Sequence, residues 1–213
     1  MQEKRIIINV GRQLGSGGRE IAALLAEIFG CRVYDRELLN LAAKESGFCE
    51  RFFEQNDERK GFLRWLGLHI ATTANASYHD NNFSQDNLFR FQSEAIRHAA
   101  MSGSCVFVGR CADYVLRDFD NVTNIFITCD IDERAARVAA RHGCDIAAAK
   151  KIISEKEGAR AQYYNFYTGK RWGDCSSYDL CVCSSVLGVK ATADYIARFV
   201  AQRMNIEFDD KSK

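Results

Sequence analysis

The chain has 213 residues, 47% of them hydrophobic and 27% charged, which is the composition of an ordinary globular protein and a length that fits one domain. Its 29 Lys and Arg side chains nearly balance 28 Asp and Glu side chains, so the net charge gives no argument for binding polymeric nucleic acid or a membrane surface. No apolar run reaches the roughly 18 residues of a membrane helix or has the form of a signal peptide, and we expect a cytoplasmic protein.

The beginning of the chain predicts a strand, a glycine-rich loop, a helix and a second strand. Residues 5–10 form a continuous apolar run rich in β-branched residues, which is typical of a buried parallel strand. A glycine-rich segment follows at 11–18, and the next apolar residues then recur on one face of a helix that ends at Gly30. The short strand Arg32–Tyr34 completes the opening of an open α/β sheet.

Periodicity and turn residues predict the remaining elements. Helices are predicted over 36–46, 49–70, 85–101, 132–141, 145–166 and 190–204, strands over 105–108, 124–128 and 178–183, and a loop rich in turn formers over 72–84. The arginines of the helix over 132–141 are interpreted as a solvated face. Together these elements predict an α/β fold whose five-stranded parallel sheet is covered by helices on both faces and binds ligands beyond the carboxyl ends of its strands.

The glycine-rich segment is the first candidate binding site. Between a strand and a helix, successive backbone N–H groups of such a loop can converge on a phosphate, assisted by the helix dipole. The P-loop pattern GxxxxGK(S/T) is only partly met, because Arg12 stands at its first glycine, Gly18 at its lysine and Arg19 at its Ser or Thr. A glycine-rich turn that binds no phosphate is the alternative.

Four segments carry a resemblance to a known family. Residues 12–21, RQLGSGGREI, resemble the opening of the cytidylate kinase-like family, a branch of the P-loop nucleoside-monophosphate kinases, whose loop also lacks the lysine. Tyr34 and Asp35 are similar to the end of the family's second strand. The segments VGRCADY at 108–114 and RAQYYNFYTGKRWG at 160–173 resemble its later motifs.

These matches run in order through most of the chain, from about residue 5 to about residue 200. The resemblance implies one P-loop kinase-like domain over 1–213, a three-layer α/β/α fold of the P-loop NTPase and nucleoside-monophosphate-kinase type. It further implies a helical acceptor-binding insert over about 49–102 and a helical lid over about 145–173.

The resemblance implies ATP-dependent phosphoryl transfer to a nucleoside monophosphate, with cytidylate as the named candidate acceptor and ATP and Mg²⁺ as cofactors. The expected partner is a small-molecule nucleotide. Two alternatives stay open. The first alternative is a nucleotide-binding regulatory protein that has lost phosphoryl transfer, which the missing lysine suggests. The second is a kinase of a non-nucleotide small molecule, which the long segment 49–102 suggests.

The resemblance also assigns roles to individual residues. Catalytic roles fall to Arg19, Arg110 and Arg160, because phosphoryl transfer depends on neutralising the charge that spreads over the transferred group. Residues expected to bind the triphosphate are Arg12, Gly15, Ser16, Gly17, Gly18, Arg19 and Glu20, and those expected to bind the acceptor are Asp35, Arg110, Tyr164 and Lys170. For Arg110 and Arg160, surface ion pairs or a solvated face are the alternatives. For the tyrosines at 163, 164 and 167, the alternative is packing of the lid against the core.

The missing lysine leads to a further expectation. Arg12 or Arg19 would hold the triphosphate in its place, an anion would lie near the amides of 15–19, and magnesium would be held mainly by phosphate oxygens and water. No metal ligands are predicted, because the four histidines are scattered and the nine cysteines, taken as reduced thiols, show no paired spacing. Residues 72–84 and 155–173 are expected to be the most mobile.

Overall fold

The computed structural model describes residues 5–35, residue 39 and residues 85–207. Its strands form one sheet with the order β2-β3-β1-β4-β5, and all four neighbouring pairs are parallel. The strands are β1 (Ile7–Arg12), β2 (Arg32–Tyr34), β3 (Cys105–Val108), β4 (Val122–Thr128) and β5 (Leu180–Cys183). The five-stranded parallel sheet predicted from the apolar runs is confirmed.

Helices connect the strands as parallel crossovers require. They are α1 (Gly18–Ile28), α2 (Gln85–Ser102), α3 (Ala112–Val115), α4 (Ile131–His142), α5 (Ile146–Thr168) and α6 (Ser184–Met204), and a 3₁₀ turn spans Cys175–Ser177. The predicted helices over 85–101, 132–141 and 145–166 agree with α2, α4 and α5 within two residues. None of the helices that the structure describes is long and apolar enough to cross a membrane.

The sheet has a hydrophobic core on each face, because successive side chains of a strand point to opposite sides. Ile8 and Val10 of β1 pack with α1 and α6, whereas Ile7 packs on the other face with Phe107, α2 and α3. These residues are fully buried, and the resulting three layers place the carboxyl ends of β1 and β3 side by side.

Helices α4 and α5 form a separate hairpin with a small core of its own. Ala135 and Val138 of α4 pack on Ala149 and Ile153 of α5, and Leu14 of the glycine-rich loop packs against this core. The Asp145 side chain caps the start of α5 by accepting a hydrogen bond from the Ala148 amide at 2.7 Å. The hairpin is therefore attached directly to the loop.

The structure differs from the sequence prediction at several boundaries. Strand β1 continues past Gly11 to Arg12, since Arg12 still pairs with Ile127 of β4. Helix α6 begins at Ser184 rather than at 190, with a break at Gly188, whose φ is 73°. The short helix α3 and the 3₁₀ turn carry too little periodicity to be predicted.

Other predictions lie outside the described residues. They are the helix over 36–46, apart from the helical and buried Leu39, the helix over 49–70 and the loop over 72–84. The division into one domain with an insert and a lid stays a prediction. No disulfide joins the eight cysteines that the described ranges contain.

Candidate active site

A cavity of about 670 Å³ opens beyond the carboxyl ends of β1 and β3, where ligands of parallel sheets bind. It brings together eleven of the twelve residues that the sequence predicted for the site: Arg12, Gly15, Ser16, Gly17, Gly18, Arg19, Glu20, Asp35, Arg110, Arg160 and Tyr164. The twelfth, Lys170, is exposed and does not line the cavity, although its positive charge acts on the Asp113 carboxylate.

The glycine-rich loop is held open at the start of α1. Gly15 and Gly17 have φ values of 80° and 74°, which only glycine adopts readily. Within the described part of the chain, the amides of Gly15, Gly17 and Gly18 donate no backbone hydrogen bond. The Ser16 side chain is buried and points inward, since its hydroxyl donates to the Gln13 carbonyl at 2.9 Å. The loop therefore presents backbone donors to the cavity, as an anion site requires.

Side chains of α4 and α5 fix this loop from behind. The Glu157 carboxylate accepts hydrogen bonds from the Leu14 amide at 2.9 Å and from Arg134 at 2.7 Å. The Arg137 guanidinium donates to the Gly15 carbonyl at 3.0 Å. The interpretation of the α4 arginines as a solvated face is thus wrong for Arg134, which is buried, because Glu157 neutralises its charge there.

Six arginines line the cavity, and four of them, Arg12, Arg19, Arg110 and Arg160, are residues that the sequence predicted for the site. Arg160 donates to the Arg12 carbonyl at 3.3 Å, and Arg110 lies 5.2 Å from the ring centre of Tyr163. Burial, followed by repulsion from Arg160, Arg110 and Arg19, lowers the pKa of Arg12 to about 9, while Asp35 acts in the opposite direction. Arg12 thus remains charged at neutral pH in a field that disfavours its charge, and an anion would relieve that cost.

The chain takes an unusual conformation where β3 leads to Arg110. Arg110 and Cys111 have φ values of 62° and 55°, and Gly109 before them has a φ of 75°. Non-glycine residues in this left-handed region cost of order 1–3 kcal/mol and cluster at functional sites. The turn holds the Arg110 side chain at the cavity, where the sequence predicted it.

Arg19 and Asp35 form an ion pair at the side of the cavity next to β2. Their closest atoms are 2.5 Å apart, and the Asp35 carboxylate is the more buried partner. Because Asp35 follows β2 directly and Arg19 lies in the first turn of α1, this pair joins the predicted triphosphate loop to the predicted acceptor residues.

Tyr164 lines the cavity from α5, but its hydroxyl is engaged. It donates to the Asp113 carboxylate at 2.6 Å, and the ring is buried. Burial raises the pKa of Asp113, and the hydrogen bond from Tyr164 opposes that rise. Burial and the contact with Asp113 together raise the pKa of Tyr164. This favours the packing alternative for the hydroxyl, and contact of the ring with the acceptor stays a prediction.

The other two tyrosines attach α5 to α2. Tyr163 donates to the Gln92 side chain at 3.2 Å and Tyr167 to Asp86 at 3.0 Å. The ring of Tyr167 also stacks on Phe89, with ring centres 4.0 Å apart. Aromatic packing therefore holds the second half of α5 over the cavity.

Comparison with known proteins identifies the family. The family model described as the cytidylate kinase-like family matches residues 7–186. The chain belongs to that family. A curated cytidylate kinase from Pyrococcus horikoshii is 29% identical over 187 residues, which are 87% of this chain and 83% of that protein.

Solved structures show where else this fold occurs. The structure of an uncharacterised protein from Eubacterium ventriosum matches this one with a TM-score of 0.73 at 29% sequence identity. The match covers 93% of this chain and 100% of the other chain. Shikimate kinase from Bacteroides thetaiotaomicron shares the fold, with a TM-score of 0.51 at 11% identity. That match covers 94% of this chain and 99% of the shikimate kinase chain. The chain is therefore a kinase, a phosphotransferase acting on a nucleotide or another small molecule, with a P-loop fold.

Sequence reasoning missed three residues that shape the site of this kinase. Glu157 and Arg137 hold the loop, and Asp113 holds Tyr164. The sequence did contain one indication of the role of Arg137. The spacings of three and four place Arg134, Arg137 and Arg141 on one face of the predicted helix. No periodicity could identify Glu157, because its partners are distant in the sequence.

Proposed function

We propose that this kinase transfers the γ-phosphoryl group of ATP to a nucleoside monophosphate, with cytidylate as the first candidate acceptor. The observation that carries the proposal is the open glycine-rich loop with Arg12, Arg19, Arg110 and Arg160 around one cavity. Such a site suits two phosphorylated substrates, since arginine binds phosphate oxygens bidentately. The cytidylate kinases among the relatives support the choice of acceptor.

The chemistry needs little beyond positioning. An oxygen of the acceptor phosphate attacks the γ-phosphorus, the bond to the oxygen that bridges the β-phosphate breaks, and ADP and a nucleoside diphosphate leave. A phosphate monoester has a second pKa of about 6, so the attacking oxygen is already ionised and no general base is required. Arg19, Arg110 and Arg160 would stabilise the charge that spreads over the transferred group.

The two aspartates at the cavity suit an acceptor that needs no base, because each of them already contacts another side chain. Asp35 pairs with Arg19, and Asp113 accepts the Tyr164 hydroxyl. Both carboxylates are thus engaged in fixing other side chains. Asp35, Arg110, Tyr164 and Lys170 stay the proposed acceptor residues, with Lys170 reaching the cavity only if the segment after α5 moves.

Magnesium, which kinases use with ATP, would neutralise phosphate charge when bound. Among the described residues, no three acidic, histidine or cysteine side chains are grouped to hold a metal ion. We propose that phosphate oxygens and water hold most of the magnesium coordination, in keeping with its reluctance to dehydrate.

The test is ADP release from ATP measured over a panel of nucleoside monophosphates, shikimate and gluconate. We expect release with cytidylate and a product that contains one more phosphate. Arg110→Ala should raise KM for the monophosphate by about ten- to a hundredfold and leave ATP affinity unchanged, because a charge-assisted contact of that size is lost. Arg117→Ala, which removes an exposed arginine outside the cavity, is the matched control.

The same panel tests the alternatives. Binding of ATP without ADP release for any acceptor would indicate the regulatory protein. Release only with shikimate or gluconate would indicate a kinase of a non-nucleotide small molecule.

A further inference from the structure

The absence of a side chain at position 18, where a P-loop has its lysine, has a spatial cause. A Cβ atom at Gly18 would lie 2.6 Å from the Cβ and 3.0 Å from the Cγ of Arg12, closer than side chains approach one another. The backbone of Gly18 is helical and does not itself need a glycine. The stem of Arg12 therefore occupies the space through which a lysine at position 18 would pass.

The tip of Arg12 rests against a second glycine. A Cβ atom at Gly109 would overlap the Nη1 atom of the Arg12 guanidinium. Because Gly109 directly follows β3 and Gly18 begins α1, the Arg12 side chain crosses from the end of β1 through a narrow channel between the two glycines. Its charged end thus lies between the phosphate loop and the turn that holds Arg110.

The guanidinium of Arg12 feels one opposite charge within the described ranges, that of Asp35, which is itself paired with Arg19. It forms no hydrogen bond or ion pair there, and its neighbours Arg160, Arg110 and Arg19 repel it. Arg19, the other candidate for the role of the lysine, instead pairs with Asp35. Arg12 is thus a mostly buried cation that packs between two glycines and is surrounded by other cations. Binding of an anion would compensate its charge.

We propose that Arg12 holds the β- and γ-phosphates of the nucleoside triphosphate in place of the P-loop lysine, from the channel between Gly18 and Gly109. The inference rests on the proposed function and selects Arg12 over Arg19 for this role. Arg19, through Asp35, then belongs to the acceptor side. A planar guanidinium at this place offers two parallel N–H donors to phosphate oxygens, a fixed bidentate geometry that the ammonium group of a lysine lacks.

The experiment removes the positive charge of Arg12 and then places a lysine at position 18, where a P-loop has it. Arg12→Met keeps the length of the stem and removes the charge, so ATP and inorganic tripolyphosphate should bind about ten- to a hundredfold more weakly by calorimetry. Gly18→Lys alone should also weaken binding, because it collides with Arg12. The double variant Arg12→Ala with Gly18→Lys frees the channel for the lysine, and it should bind ATP at least tenfold more tightly than Arg12→Ala alone.

The controls separate this inference from the proposed function. Arg117→Ala should bind as the parent does, and thermal melting confirms that each variant is folded. Unchanged ATP affinity in Arg12→Met, or no recovery in the folded double variant, overturns the role of Arg12 while ADP release by the parent leaves the function intact. A parent that binds neither ATP nor tripolyphosphate overturns both proposals.

Discussion

Asp113 shows how one buried carboxylate is kept at the edge of the site. It lies next to the strained turn at Arg110, and the Tyr164 hydroxyl satisfies one of its oxygens at 2.6 Å. Burial nevertheless outweighs this hydrogen bond and raises the pKa of Asp113. The ionised form of Asp113 therefore costs stability in the folded protein.

This cost predicts a dependence of stability on pH. Because the folded pKa lies above the unfolded value of about 3.9, the protonated form favours folding below that value, and the advantage is lost as pH rises through the folded pKa. Asp113→Asn has no such titration. The free energy of unfolding of the parent minus that of Asp113→Asn should therefore fall as pH rises above about 4, by at most about 1.4 kcal/mol per pH unit.

Urea unfolding at four pH values measures the difference. Asp118→Asn, at an exposed position, is the matched control and should track the parent. A difference that stays constant or grows with pH would contradict the conclusion that burial raises the pKa of Asp113.

At the scale of elements, α5 is the helix that connects the parts of the site. Glu157 in its middle contacts the glycine-rich loop and α4, and three tyrosines at its end contact α2 and α3. Its hairpin with α4 has a separate small core. The position of α5 over the cavity thus depends on a few polar contacts as well as on apolar burial.

Glu157 is the contact that we expect to matter most for stability. The Arg134 side chain is only 8% exposed and Glu157 only 17%, so Glu157→Ala would leave a buried cation and the Leu14 amide without their acceptor. Breaking a buried pair costs about 3–5 kcal/mol. Glu157→Ala should lower the free energy of unfolding by about that amount, measured by denaturant titration.

Two variants test the interpretation of Glu157. Glu157→Gln can still accept from Leu14 and should fall between the parent and Glu157→Ala. Glu94→Ala removes an exposed partner of Arg90 and should change stability far less. Equal losses for Glu157→Ala and Glu94→Ala would contradict the structural role of Glu157.

The sequence predicts the individual strands, helices and turns better than the tertiary contacts between them. The run 5–10, the loop 11–18 and the strand 105–108 could be recognised because strands and glycine turns are local patterns. The contact of Arg12 with Gly18 and Gly109 could not, because it joins the end of β1 to the start of α1 and the end of β3 through space. Periodicity also could not show that Arg134 is buried, since an ion pair with Glu157 overrides the usual exposure of arginine.

At the scale of the whole molecule, the site lies where three packed units meet. Two cores flank the sheet, the third lies inside the α4–α5 hairpin, and the cavity is lined from all of them. Elements with small cores and polar contacts are the ones that open most easily. We therefore expect the α4–α5 hairpin, which contains most of the lid predicted from the sequence, to close over bound nucleotide.

Hydrogen exchange measured by mass spectrometry tests this closure. Amides of 155–173 should exchange faster than those of β1 in the free protein and should slow when ATP and the acceptor analogue cytidine are added, because Arg160 gains phosphate contacts and water leaves the cavity. Amides of β1, which are buried in the sheet, should not change and serve as the internal control. The variant Arg160→Ala, which keeps the helix but removes the proposed contact with the phosphates, should lose the slowing. Exchange over 155–173 that is already slow without ligand and is unaffected by it would overturn the lid.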